Sequence, residues 1–205
     1  MTTTKILHID SSILASGSVS RGLTALIVKR LAHLHADSVT TYRDLAATPL
    51  PHLSGALFAA RQSDAAPPPT IYADWSTARR VLQEYISADI VVVGAGLYNF
   101  GIPSQLKAWV DSISVAGKTF RYTPEGPVPL AGGKRIILAI ARGGIYAPGS
   151  PYQAFEHGET YLRQVFGFLG CAAIDSIVAE GLSVGAEAKQ AAISGAMAAI
   201  EQLST

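Results

Sequence analysis

The sequence predicts an α/β protein built on a doubly wound, five-stranded parallel sheet with helices on both faces. Strand-like and helix-like segments alternate along nearly the whole chain, the pattern that yields parallel strands joined by helical crossovers. One segment, Asp89-Ile-Val-Val-Val-Gly94, is a continuous apolar run, as expected of a strand covered on both faces. The chain has 205 residues, 49% hydrophobic and 15% charged, which suits a single domain, 1–205, with a full core.

The elements follow in order. Lys5–Asp10 reads as a short apolar strand. Ser18 or Ser20 can cap the next helix, whose Leu23, Leu26, Ile27, Leu31 and Leu34 keep helical spacing. Ser38–Leu45 alternates and predicts a strand near the sheet edge. Ala46–Pro69 breaks the pattern with Pro49, Pro51 and Pro67-Pro68-Pro69, so it is expected to be functional, interface-forming or partly helical. Ile71–Ser87 is a helix, and the third strand ends near Gly96. A helix opening with Pro103 runs to Val115; a proline is tolerated there because that N–H has no intrahelical partner. Thr119–Tyr122 with Pro124–Pro129 suggests a hairpin. Lys134–Ala141 is a strand, Tyr152–Leu169 a helix, Ala173–Ala179 the fifth strand, and Ala186–Leu203 a closing helix.

Bulk properties exclude several functions. A formal net charge of +1 with scattered basic pairs argues against a nucleic-acid partner, which needs clustered Lys and Arg. No apolar run approaches the ~18 residues that span a bilayer, and no signal-peptide pattern opens the chain. The single cysteine, Cys171, forms no internal disulfide and sits among apolar residues, as a core thiol does. A cytoplasmic protein without a membrane partner is expected. No HExxH, GxSxG or paired-cysteine ligand set occurs, so no metal site and no catalytic side-chain triad are predicted. His8 reads as a core histidine, and only His157 lies in a region that could reach a site.

Three loops follow strands on the carboxyl rim, where open parallel sheets bind ligands. The first, Ser11–Ser20, offers five hydroxyls leading into a helix N-terminus, which suits a phosphate monoester. The same serines would also serve as plain helix caps. The second, Leu97-Tyr98-Asn99-Phe100, offers aromatic walls and an amide for a flat ring with polar edges, or else fills core space. The third, Arg142-Gly143-Gly144, lets backbone pass close to a ligand, or is an ordinary turn. Neither nucleotide-binding glycine motif is present. The first loop has one glycine, and Gly132-Gly133-Lys134 precedes a strand instead of a helix. Phosphate at one end and a planar ring at the other point to flavin mononucleotide (FMN).

These stretches are specific in combination. Ser11-Ser-Ile-Leu-Ala15, Ser18-Val19-Ser20, Tyr42-Arg-Asp-Leu-Ala46, Tyr98-Asn99-Phe100 with Ser104-Gln-Leu-Lys107, Thr119-Phe-Arg-Tyr122, Arg142-Gly143-Gly144 and Ala179-Glu-Gly181 follow one another across nearly the whole chain. In this the sequence resembles the FMN-dependent NADH azoreductases among the flavodoxin-like NAD(P)H:quinone oxidoreductases. The resemblance implies a flavodoxin-like fold and bound FMN. It also implies NADH or NADPH as co-substrate, quinone or azo acceptors, ping-pong two-electron transfer, and a homodimer with the flavin site at the interface. Ser12, Ser18, Val19 and Ser20 would hold the phosphate. Leu97, Tyr98, Asn99 and Phe100 would line the ribityl chain and ring, and Ala141, Arg142, Gly143 and Gly144 would approach its polar edge. Leu97 stands where the family commonly has Met, and Ala141 where it often has Ser. Ala46–Pro69, with Leu53, Leu57 and Phe58, could wall the partner's site. The rivals are an FMN or metal-ion reductase on the same fold, and an electron-carrying flavodoxin. The latter is disfavoured by 16 basic against 15 acidic residues.

Overall fold

In the computed structural model, which describes residues 3–63 and 65–205, the predicted sheet is present. Its strands are β1 (Lys5–Asp10), β2 (Val39–Asp44), β3 (Ile90–Gly96), β6 (Arg135–Ala141) and β7 (Ala173–Ala179), all parallel, in the order β2-β1-β3-β6-β7. β4 (Phe120–Thr123) and β5 (Gly126–Pro129) pair as the expected antiparallel hairpin. The helices are α1 (Val19–Leu34), α2 (Gly55–Arg61), α3 (Tyr72–Ser87), α4 (Ser104–Ile113), α5 (Glu159–Phe168) and α6 (Ala186–Glu201).

Alternation along the strands divides the core in two. Leu7, Ile9, Val91, Val93, Ile136 and Leu138 face α3, α4 and α5, where Tyr85, Trp109 and Phe166 are fully buried. Ile6, Val92, Ile137, Ala139 and Ile177 face Leu23, Ile27 and Leu31 of α1 and Ile200 of α6. Every residue of β3 is buried, as its unbroken apolar run requires. β2 lies at the edge and keeps its alternating, largely exposed sequence. Cys171 is buried against Tyr85, its Sγ 3.6 Å from the phenol oxygen, and burial pushes that phenol's pKa up.

Two elements differ from the sequence expectation, and a third agrees with one of the alternatives it left open. Pro103 occupies the cap position of α4, so the helix proper begins at Ser104. The irregular 46–69 segment is partly helical, as one of the expected alternatives had it: it contains α2, started by Ser54, whose Oγ accepts from Leu57 N–H at 3.2 Å. The largest departure is the helix expected over 152–169, which begins only at Glu159. The Glu156 carboxylate accepts from the N–H groups of Gly158, Glu159 and Thr160 at 2.7–3.0 Å. A carboxylate there satisfies the first-turn donors and fixes the helix start, leaving the preceding residues free to lie along the rim.

Candidate active site on the carboxyl rim

β1, β3 and β6 are neighbours in the sheet, so the loops leaving their carboxyl ends are brought side by side. Ser11 Oγ donates to Gly94 O at 2.6 Å, and the hydroxyls of Ser12 and Tyr98 share a hydrogen bond of 3.1 Å. Leu97 N–H donates to Ala141 O at 2.9 Å. The three predicted loops therefore form one continuous surface.

At one end, Ser18 caps α1, its Oγ accepting from Arg21 N–H at 3.3 Å while sharing a hydrogen bond with Ser20 Oγ at 3.1 Å. The N–H groups of Val19 and Ser20 sit in the first helical turn, where no intrahelical acceptor exists. No charged residue occurs between Ser11 and Ser20. This end offers hydroxyls, two amides and a helix dipole, a donor set that fits a phosphate.

Beside it lies a partly buried polar network that no local sequence pattern announces. Arg21 holds both oxygens of Asp44 at 2.7 Å and donates twice to Ser12 O, at 2.8 and 3.0 Å. Thr24 Oγ1 donates to Asp10 at 2.7 Å, and Tyr42 OH donates to the same carboxylate at 3.1 Å. The Arg21 fork holds the Asp44 carboxyl at about 2, outweighing burial and helped by the Ala46 and Ala47 amides. Asp44 raises the Arg21 guanidinium in turn. Asp10 and Asp44 end the adjacent strands β1 and β2, and a charge closing an apolar strand was the available signal.

In the second loop, Asn99 and Phe100 both adopt left-handed backbone conformations, φ +49° and +71°. That is costly for a side-chain-bearing residue and is typical of functional loops. Tyr98 is half-buried, whereas Phe100 is 48% exposed and does not fill the core.

At the other end, the Arg142 side chain turns away from the rim. It is buried with Glu159 at 2.6 Å and with Glu156 and Glu180 at 3.4 Å. Its own N–H is spent on Ala179 O, so that amide is not available to a ligand. Gly143 and Gly144 give their carbonyls to Ser183 and Gly181 and make no hydrogen bond through N–H among the described residues. Both positions are tight, since a Cβ on Gly143 would stand 2.9 Å from Ser183 Oγ and one on Gly144 3.1 Å from the Tyr146 ring, so these side chains would have to shift. Glu180 also accepts from Tyr146 N–H at 2.9 Å. For Glu156, burial raises the pKa, but the Glu159 and Thr160 amides, the Thr160 hydroxyl and Arg142 together hold it below the usual range.

His157 has an exposed side chain, and its N–H donates to Phe100 O at 3.1 Å. His8 is buried, with Nε2 3.5 Å from Asp10. It stays beneath the rim.

A family model described as flavodoxin-like fold matches residues 4–203. The chain belongs to this flavodoxin-like family. It is 54% identical to an FMN-dependent NADH:quinone oxidoreductase of Methylorubrum extorquens over 97% of this chain and 98% of that one. Its identity to the protein of the same name from Xanthomonas campestris pv. campestris is 53%, with the same coverage. Among solved structures, the FMN complex of an FMN-dependent NADH-azoreductase from Bacillus anthracis str. Ames Ancestor superposes with a TM-score of 0.87. It is 26% identical and covers 99% of this chain and 100% of that one. The azoreductase AzrA gives 0.86 at 27% identity over 98% and 100%.

Proposed function

We propose that this protein is an FMN-dependent NAD(P)H:quinone oxidoreductase and azoreductase. It takes two electrons from NADH or NADPH and passes them to a quinone or aromatic azo acceptor. The observation that carries this reading is the joined rim, with a neutral, hydroxyl-rich helix N-terminus at one end and two free glycine amides at the other. That donor set matches phosphate and the polar edge of a flat ring. The named relatives support the same assignment.

In this reading Ser12, Ser18, Val19 and Ser20 hold the phosphate. Leu97, Tyr98, Asn99 and Phe100 line the ribityl chain and ring. Ala141, Gly143 and Gly144 meet the ring's polar edge, with Arg142 beneath as their support. FMN supplies the chemistry when bound, accepting a hydride and delivering two electrons to the second substrate, so no catalytic side chain is assigned. The chain's own work is to bind, to orient, and to place two amide donors where charge develops.

The assembly is a homodimer with the site at the interface. Its support is the exposed apolar surface of the 46–69 segment and the hairpin, where Phe58 is 54% and Tyr122 74% exposed. A monomer that holds FMN and turns over normally contradicts it. The chain acts as one domain, 1–205. A cytoplasmic location belongs to the same reading, supported by a lone, buried cysteine. No described helix is long and apolar enough to cross a membrane.

Initial rates of the FMN-loaded protein, with NADH and benzoquinone varied together, test the reaction. Parallel double-reciprocal lines are expected. Intersecting lines contradict the ping-pong order, and a rate that follows added FMN but ignores the quinone makes the protein a flavin reductase.

A further inference from the structure

Residues 145–158 leave β6, turn at Pro148-Gly149 and return along the rim before α5 begins. Both ends are pinned. Tyr146 N–H is held by Glu180, and Tyr146 packs on Gly144. At the far end His157 N–H donates to Phe100 O, and Gly158 lies so close to Leu97 that a Cβ would stand 2.9 Å from its Cδ1. Between these points the chain is held in shape by its own turns, Gln153 N–H to Ser150 O, Phe155 N–H to Tyr152 O and Glu156 N–H to Gln153 O, and by Gly149 N–H on Gln153 Oε1.

This scaffold presents aromatic rings. Phe155 lies against Phe100 with centroids 5.1 Å apart, and Tyr152 lies 6.4 Å beyond Phe155. All three are well exposed, Phe155 at 45% and Tyr152 at 59%. A row of three exposed rings held on a pinned backbone is a costly surface unless a ligand uses it. It continues directly from the loop assigned to the flavin ring, so a second flat molecule lying there meets Phe155 next.

We propose that Phe155 and Tyr152 form the outer wall of the acceptor subsite and set its preference for extended, multi-ring acceptors. A one-ring quinone ends before this wall. A fused or two-ring acceptor places its far ring against Phe155 and gains the contact of an offset aromatic pair. The inference rests on the flavin reading above.

The test is kcat/KM of the FMN-loaded protein for anthraquinone sulfonate and for benzoquinone, with the wild type, Phe155→Ala, Phe155→Tyr and Tyr152→Ala. In Phe155→Ala the ratio of the three-ring to the one-ring acceptor should fall about fivefold, the worth of one aromatic pair. Tyr152→Ala should lower it less, and Phe155→Tyr should restore it. An unchanged ratio, an equal loss for both acceptors, or a higher ratio overturns the proposal. So does a Phe155→Ala protein that loses its flavin or changes its oligomeric state, because the segment then belongs to the cofactor site or the subunit contact. Failure of the wild type itself to bind FMN instead brings down the underlying flavin reading. Flavin content and bleaching by NADH, measured first, separate these cases.

Discussion

Each end of the candidate site stands on an ion-paired arginine, Arg21 half-buried and Arg142 buried, and the two are used differently. Arg21 is almost fully matched: Asp44 takes two of its donors, and the Ser12 carbonyl takes others. It clamps main chain. Arg142 faces Glu156, Glu159 and Glu180, its Nε has no partner among the described residues, and it touches the third loop only through its own backbone. It ties together β6, the start of α5 and the end of β7. In the proposed reading a ligand meets the hydroxyls of the first loop and the amides of the third, with these ion pairs behind them.

The Arg142 end is the more fragile. Arg142→Met leaves three carboxylates around an uncharged thioether, and breaking a buried pair in this way costs about 3–5 kcal/mol. Urea denaturation should read that loss, and a cost below that of cutting the Arg21 clamp would reverse the ranking. At the other end, Asp44→Asn should cost about 2 kcal/mol at neutral pH, the free energy of a carboxyl lowered from 3.8 to about 2. A carboxyl depressed in the folded state stabilises above its unfolded pKa, and the contribution fades as pH falls from about 4 to about 2. The wild type should lose stability over that window, and Asp44→Asn should show a flatter acid limb.

Smaller effects probe the rim itself. Asn99→Ala should weaken FMN binding about fivefold, by loss of side-chain hydrogen bonding and the greater cost of alanine in the left-handed region. Fluorescence titration with FMN checks it, and unchanged affinity removes Asn99 from the ring contacts. Ala15, at φ +46° in the first loop, gives the mildest test. Ala15→Gly should relieve about 1 kcal/mol and raise Tm by about 2–4 °C. No rise would mean that this loop, unlike the second, stores no strain.

The sheet and most helices were legible in the sequence because each depends on short-range periodicity. β3 is an unbroken apolar run, and β7 begins and ends at the predicted residues. The start of α5 was not legible, because it is decided by where the Glu156 carboxylate points. The rim residues were found because loops after parallel strands share one edge. What holds them was missed. Arg21 and Asp44 are 23 positions apart, and Arg142 and Glu180 are 38 apart, so each pair exists only once the fold has closed. The left-handed turn at Asn99–Phe100 carries no glycine to announce it. Tyr152 and Phe155 were misplaced for a related reason, since their spacing fits a helix and only the late cap leaves them on the rim.

The measurement that bears most directly on the central claim is the visible spectrum of the purified protein, followed without oxygen as NADH and then benzoquinone are added. A flavin spectrum that bleaches with NADH and returns with the quinone is expected. A colourless protein that takes up no added FMN would contradict it.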